Sequence, residues 1–173
     1  MSSIQWDNNY CVCVKEIDLQ NQTLFSLING LDAAARQQSG KEVLAALCAE
    51  LIDTVIANLT VEERLLDRAA YADVTSHKAA HEKLRSQLLD LRKLIHKDPR
   101  AACEELTVFL SFWLKNHILM MDKRFGKLFT EHQDNAGNAG LGAGERQKRV
   151  PLYPAAAPAR ARVTPRPGSF LTF

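Results

Sequence analysis

From residue 14 to about residue 132 the apolar positions recur at alternating steps of three and four, the spacing of one face of an α-helix. Four such stretches can be marked off. The first runs from about Asp18 to Gln38 with Ile17, Asn21, Leu24, Ile28 and Leu31 on one stripe, and Ser39-Gly40 serves as its stop. The second runs from about Lys41 to Arg68 along Leu44, Leu47, Leu51, Val55, Asn58, Glu62 and Leu65. The third covers about Asp73 to His96 with His77, His81, Leu84, Leu88, Leu91 and Ile95 in line. Asp98-Pro99 then supplies an N-cap and a proline at the first helical position, and a fourth helix continues to about His132 with Leu106, Leu110, Trp113, His117 and Met121 inward. Alternation with period two is confined to the short CVCVKEI segment at 11–17, which reads as an extended arm. Four amphipathic helices on short connections predict an all-α fold, an antiparallel up-down four-helix bundle.

After residue 133 the composition changes. Five of the six prolines and five of the eight glycines lie there, a mixture that cannot support a packed core. The expected organisation is a bundle over 1–133 and a disordered Gly/Pro/Ala/Arg-rich tail over 134–173. The tail holds six basic residues against two acidic ones, leaving the bundle with 16 basic and 18 acidic. A near-neutral body argues against a nucleic-acid-binding core, although the basic tail could meet another partner. No apolar run approaches the roughly 18–20 residues of a membrane span, and the first residues lack the layout of an export signal. These features predict a cytoplasmic protein. The four cysteines, Cys11, Cys13, Cys48 and Cys103, are then expected as reduced thiols.

Each apolar stripe carries something polar where a leucine is expected: Asn21; Asn58 with Glu62; His77 with His81; and His117. Burying such groups alone costs about 1–3 kcal/mol each, so they must satisfy one another or something held between them. His77 and His81 are one helical turn apart, as are Asn58 and Glu62, and antiparallel packing brings these ends of the stripes to a common level. Imidazoles and carboxylates converging in an apolar interior are a donor set for a transition metal. The two remaining histidines, His96 and His132, sit near helix ends, where the helix dipole explains them.

With Trp6, VKEIDLQNQTLFSLIN at 14–29, NLTVEE at 58–63, HKAAH at 77–81 and WLKNHILMMD at 113–122, the region 6–132 resembles the hemerythrins, in particular the bacteriohemerythrins. In that family a pair of non-haem iron ions is held by five histidines and two bridging carboxylates, and O2 binds reversibly. The resemblance places one iron's histidines at His77, His81 and His117 and the carboxylates at Glu62 and Asp122. It places the other iron's two histidines at Asn21 and Asn58. The spacings between these positions are those of the family, so the asparagines stand in register. His117 and Asp122 are five residues apart, about 140° around a regular α-helix, so a helix distortion or a side chain reaching around must bring them to one ion.

Amide oxygens are weak donors beside imidazoles, so the asparagines predict one iron ion where the resemblance alone implies two. Three imidazoles and two carboxylates balance a divalent ion; Zn, Mn or Co would also be accepted. Reversible O2 carriage in the family draws one electron from each of two irons, which a single ion cannot supply. The expected function is therefore non-haem metal binding, with O2 or NO sensing or redox handling as the role. Two other readings stay open: a di-iron oxygen binder in which Asn21, Asn58 or waters complete the second ion, and a metal-free bundle acting as an interaction module. With one ion or none, the asparagines would bond to each other or to Glu62, with water filling the vacated cavity. Leu24, Phe25, Leu59, Trp113, Ile118 and Met121 would line a pocket for a small apolar ligand. No nucleophile with an adjacent base, phosphate loop or CxxC pair argues for an enzyme.

Overall fold

The structure, a computed structural model, describes residues 3–129. Four helices follow an N-terminal arm: α1 (Lys15–Arg36), α2 (Lys41–Arg68), α3 (Val74–Lys97) and α4 (Pro99–His117). A π-helical turn, Ile118–Asp122, extends α4, and residues 123–129 continue as α-helix. Among the described residues there is no strand. The expected boundary at 133/134 and the expected end of the last helix at His132 lie outside the described residues.

Short connections make sequential helices antiparallel neighbours. The bundle closes through α1 against α4, and the diagonal pair α2 and α4 also pack on each other. Asp98 alone joins α3 to α4; its Oδ1 accepts from the amides of Arg100 and Ala101 at 3.1 Å each, while Pro99 needs no partner. The stop after α1 differs from the expectation. The left-handed residue is Gln38 (φ 57°), not Gly40, and Ser39 N bonds back to Ala34 O at 3.1 Å. Ala70 (φ 48°) ends α2 the same way, with Tyr71 N on Leu66 O at 3.1 Å.

The core follows the stripes read from the sequence, with aliphatic side chains such as Ile17, Leu24, Leu51, Leu84, Leu88 and Leu106 buried, except that Leu47 and Trp113, expected inward, are half-buried and Cys48 and Leu114 beside them are buried instead. By length and composition α2 could cross a membrane, with a mean hydropathy of 1.7 over its most apolar window, which corrects the expectation that no run approaches that size. Its apolar stripe is instead buried against α1, α3 and α4, and it carries Asn58 and Glu62 inward. The arm lies over the bundle. Asn29 holds Ile4 by two hydrogen bonds, Nδ2 to the carbonyl at 2.7 Å and Oδ1 from the amide at 2.9 Å. Val12 and Val14 point into the core, and Trp6 and Tyr10 pack on Phe25.

Candidate metal centre

Three helices and the π turn bring five side chains to one point. Glu62 comes from α2, His77 and His81 from successive turns of α3, and His117 from the end of α4; donor atoms of these four all lie within 4.8 Å of one another, and all four residues are buried. Asp122 joins them through the π turn. There Lys123 N bonds to Ile118 O, five residues back, so the helix widens and a five-residue step returns to the same face. Asp122 Oδ1 consequently lies 2.9 Å from His117 Nε2 and 3.3 Å from His77 Nε2. The same widening removes Met121 from the inner stripe: it is only half-buried, a correction to its expected place among inward and pocket residues.

The donors face one another in a way that ordinary hydrogen bonding does not explain. Nε2 of His77 and Nε2 of His81 each stand 3.0 Å from Nε2 of His117. Glu62 Oε1 is 2.7 Å from His77 Nε2 and 3.9 Å from the other two, yet neither it nor Asp122 Oδ1 has a hydrogen bond of acceptable geometry. Two buried carboxylate oxygens without such bonds, beside three convergent nitrogens, fit a cation shared by all five residues. Distance supports the same fit. Ligands about 2.1 Å from one ion are about 3.0 Å apart at right angles and about 3.4 Å apart at tetrahedral angles, so the nitrogen separations match the right-angled edge.

Charge is balanced internally. Burial and the neighbouring Asp122 push the Glu62 carboxyl above its usual value. For Asp122, burial is outweighed by the charge of His117 and the close approach of His117 and His77, which hold its carboxyl well below the usual carboxylate range. Burial would lower His117, but Asp122 and Glu62 raise it to about 9; His77 is raised by the same two carboxylates. His81 goes the other way, down to about 4, through burial and the charge of His117.

Outside this cluster, Glu63 Oε1 stands 2.9 Å from His81 Nδ1 and 2.8 Å from Arg85, fixing which ring nitrogen of His81 faces the other donors. Sequence reasoning missed Glu63; the signal was its position beside Glu62, together with the need of an inward imidazole for an outer acceptor. Trp113 stacks on His117 with ring centres 4.3 Å apart and 12° between planes. Leu24, Phe25, Leu59 and Ile118 are buried as expected of pocket residues, while Phe25 spends its face on the arm. Asn21 and Asn58 are buried on α1 and α2, and Asn58 Nδ2 donates to Gln20 Oε1 at 3.1 Å. The expected mutual asparagine bond is not formed through Nδ2 of Asn21, which has no partner.

The fold and the cluster define a helical cation-binding domain, and the sequence family agrees. Residues 13–129 match the model of the hemerythrin HHE cation binding domain, so the chain belongs to the hemerythrin family. It is 37% identical over 113 residues to a bacteriohemerythrin of Methylococcus capsulatus, covering 63% of this chain and 82% of that protein. It is 32% identical over 124 residues to a hemerythrin-like protein of Naegleria gruberi, covering 72% of this chain and 92% of that one. Among solved structures, wild-type hemerythrin superposes with a TM-score of 0.66 at 30% identity, covering 73% of this chain and 98% of that chain.

Proposed function

We propose that this protein holds one non-haem iron ion on His77, His81, His117, Glu62 and Asp122, and that it binds or senses O2 or NO rather than carrying oxygen as a di-iron protein. The observation that carries the reading is the meeting of three Nε2 atoms, 3.0 Å apart in two pairs, with two buried carboxylate oxygens that lack hydrogen bonds. An iron ion supplies a redox-active Lewis-acidic centre for a small gaseous ligand. The chain's residues do the rest. Glu63 and Arg85 orient His81, Trp113 covers the face of His117, and Leu59 and Ile118 keep water from the donors. Asn21 and Asn58 offer amides in the register where the family has histidines, and amide oxygens compete poorly with water for a ferrous ion.

Elemental analysis after anaerobic reconstitution with Fe(II) and desalting tests the reading. Near one iron per chain, lost in a His117→Ala variant, is expected. Near two would make Asn21 and Asn58 tolerated ligands and return di-iron oxygen binding as the function; near zero would leave a metal-free interaction bundle. Absorption spectra of the ferrous protein under argon, air and NO then test the ligand. A stable band that cycles reversibly between air and argon would refute the non-carrier role.

A further inference from the structure

At the far side of the π turn the N-terminal arm carries a second reactive cluster. Val12 and Val14 are 2% and 1% exposed and anchor the arm inward, which leaves Cys11 and Cys13 on its outer side. Cys13 takes a left-handed backbone conformation, φ 63°, unusual for a residue with a Cβ. That rotation about N–Cα swings its side chain towards Cys11. The two sulfurs lie 3.4 Å apart, and Cys11 Sγ also accepts from Cys13 N at 3.3 Å. A disulfide needs closure to about 2.05 Å, a shift that side-chain rotation can deliver.

The two thiols are unequal. Cys13 is exposed, whereas Cys11 is partly covered and donates to Asp18 Oδ2 at 3.3 Å. Burial, the contact with Cys13 and the Asp18 carboxylate raise the Cys11 thiol to about 11. Both cysteines line an open cleft of about 440 Å³ whose other walls include Lys123, Arg124 and Lys127. Lys123 also holds Asn9 O at 2.9 Å and Arg124 pairs with Asp73 at 3.1 Å, so these two side chains are fixed in place.

We propose that Cys11 and Cys13 form a dithiol–disulfide couple that exchanges with anionic low-molecular-weight disulfides in this cleft. The Cys13 thiol loses its proton to solvent, and its sulfur attacks one sulfur of the bound disulfide. That S–S bond breaks, and the departing thiolate takes up a proton from solvent. The Cys11 thiol then loses its proton to solvent, and the Cys11 sulfur attacks Cys13. The mixed disulfide breaks, the Cys11–Cys13 bond forms, and the second small thiolate leaves and is protonated. Two protein thiols are thereby oxidised and one external disulfide is reduced to two thiols. The basic wall recruits carboxylate-bearing disulfides, and the exposed sulfur is the one that attacks.

The test uses the full chain equilibrated with oxidised and reduced glutathione, quenched by alkylation, and read by intact mass and peptide mapping. Cys11 and Cys13 are expected to oxidise together to one intramolecular bond while Cys48 and Cys103 stay reduced. Cys11→Ser should accumulate a glutathione adduct on Cys13. Cys13→Ser should be modified at least about tenfold more slowly. Lys123→Gln with Lys127→Gln should slow reaction with oxidised glutathione severalfold but leave the rate with the uncharged hydroxyethyl disulfide unchanged. Independent adducts on both cysteines of the wild-type chain, with no bond between them, would overturn the couple. Equal rates for the two single variants would overturn the order of attack, and unequal effects of charge in the other direction would overturn the recruitment.

Discussion

Gly126 sits in the helical stretch after the π turn, where the usual rule for an interior helical glycine is that alanine stabilises by about 0.5–1 kcal/mol. The structure reverses that sign. A Cβ on Gly126 would lie 1.9 Å from Val12 O, 2.6 Å from Val12 Cγ1 and 2.9 Å from Val12 C. Since Cβ contacts under 3.0 Å are essentially never tolerated, the arm or the helix must move by about 1.1 Å. The atom in the way is backbone oxygen, so no rotamer change relieves it. Lifting the arm uncovers Val12, which is worth about 1.5–3 kcal/mol when fully exposed, and strains the 2.7 Å bond from its amide to Asp18. Set against the propensity gain, Gly126→Ala is expected to destabilise by about 1–3 kcal/mol. Gly30 is the internal control: it lies in α1 with nothing within 4 Å of its added Cβ, so Gly30→Ala should stabilise by about 0.5–1 kcal/mol. Urea denaturation of the three proteins, with m-values compared, decides the matter. A Gly126→Ala protein as stable as wild type, or shifted in the same direction as Gly30→Ala, would refute the docking of the arm on this helix.

Metal uptake should strengthen as pH rises from 6.5 towards about 9, because in the metal-free chain His117 keeps its proton up to that value and must give it up to bind; affinity that is flat with pH over this range would contradict the balance drawn above. Glu63, whose carboxyl Arg85 and His81 hold below its usual value despite burial, should contribute stability that is present at neutral pH and lost as pH falls through its depressed folded value. Acid denaturation curves should therefore be shallower for Glu63→Gln than for wild type. Restoring both imidazoles, with Asn21→His and Asn58→His together, should raise bound iron by about one ion per chain; an unchanged count would mean that more than the two side chains separates this site from a two-ion one. Trp113→Ala removes the ring stacked on His117 and should speed metal loss to chelators several-fold while leaving the iron content at saturation unchanged.

The stripes of α1, α2 and α3 were legible because their period is constant from end to end. On α2, Leu44, Leu51, Val55, Asn58, Glu62 and Leu65 lie inward as read, whereas Leu47 is only half-buried and Cys48 beside it takes the inner place. A buried glutamate or histidine in such a row reads as clearly as a leucine, which is why Glu62, His77, His81 and His117 could be named from spacing before any geometry was known. Two kinds of feature escaped that reading. Contacts made through the outer nitrogen of a ligand-type histidine, as with Glu63 on His81, leave no periodic trace, because Glu63 lies about 100° around the helix from the stripe. Backbone devices escape it too: the left-handed residues Gln38, Ala70 and Cys13 are not glycines, so nothing in their side chains announces the turn.

The π turn is where the constant period fails, and that failure gives the cluster its fifth donor. On an unbroken α-helix the row through Trp113 and His117 would continue to Met121, and Asp122 would point about 140° away from His117. One wider turn shifts the row by a residue, so the carboxylate takes the inward place and the methionine half leaves it. Such a turn strains regular hydrogen bonding and would relax in a chain that gained nothing from it. Here Ile118 is fully buried, Phe125 is 1% exposed beyond the turn, and Asp122 Oδ1 meets two imidazoles, so packing on both sides holds the wider turn open. The one sequence clue was the five-residue interval between a histidine and an aspartate that both had to face inward, since only an inserted residue makes that interval a single turn.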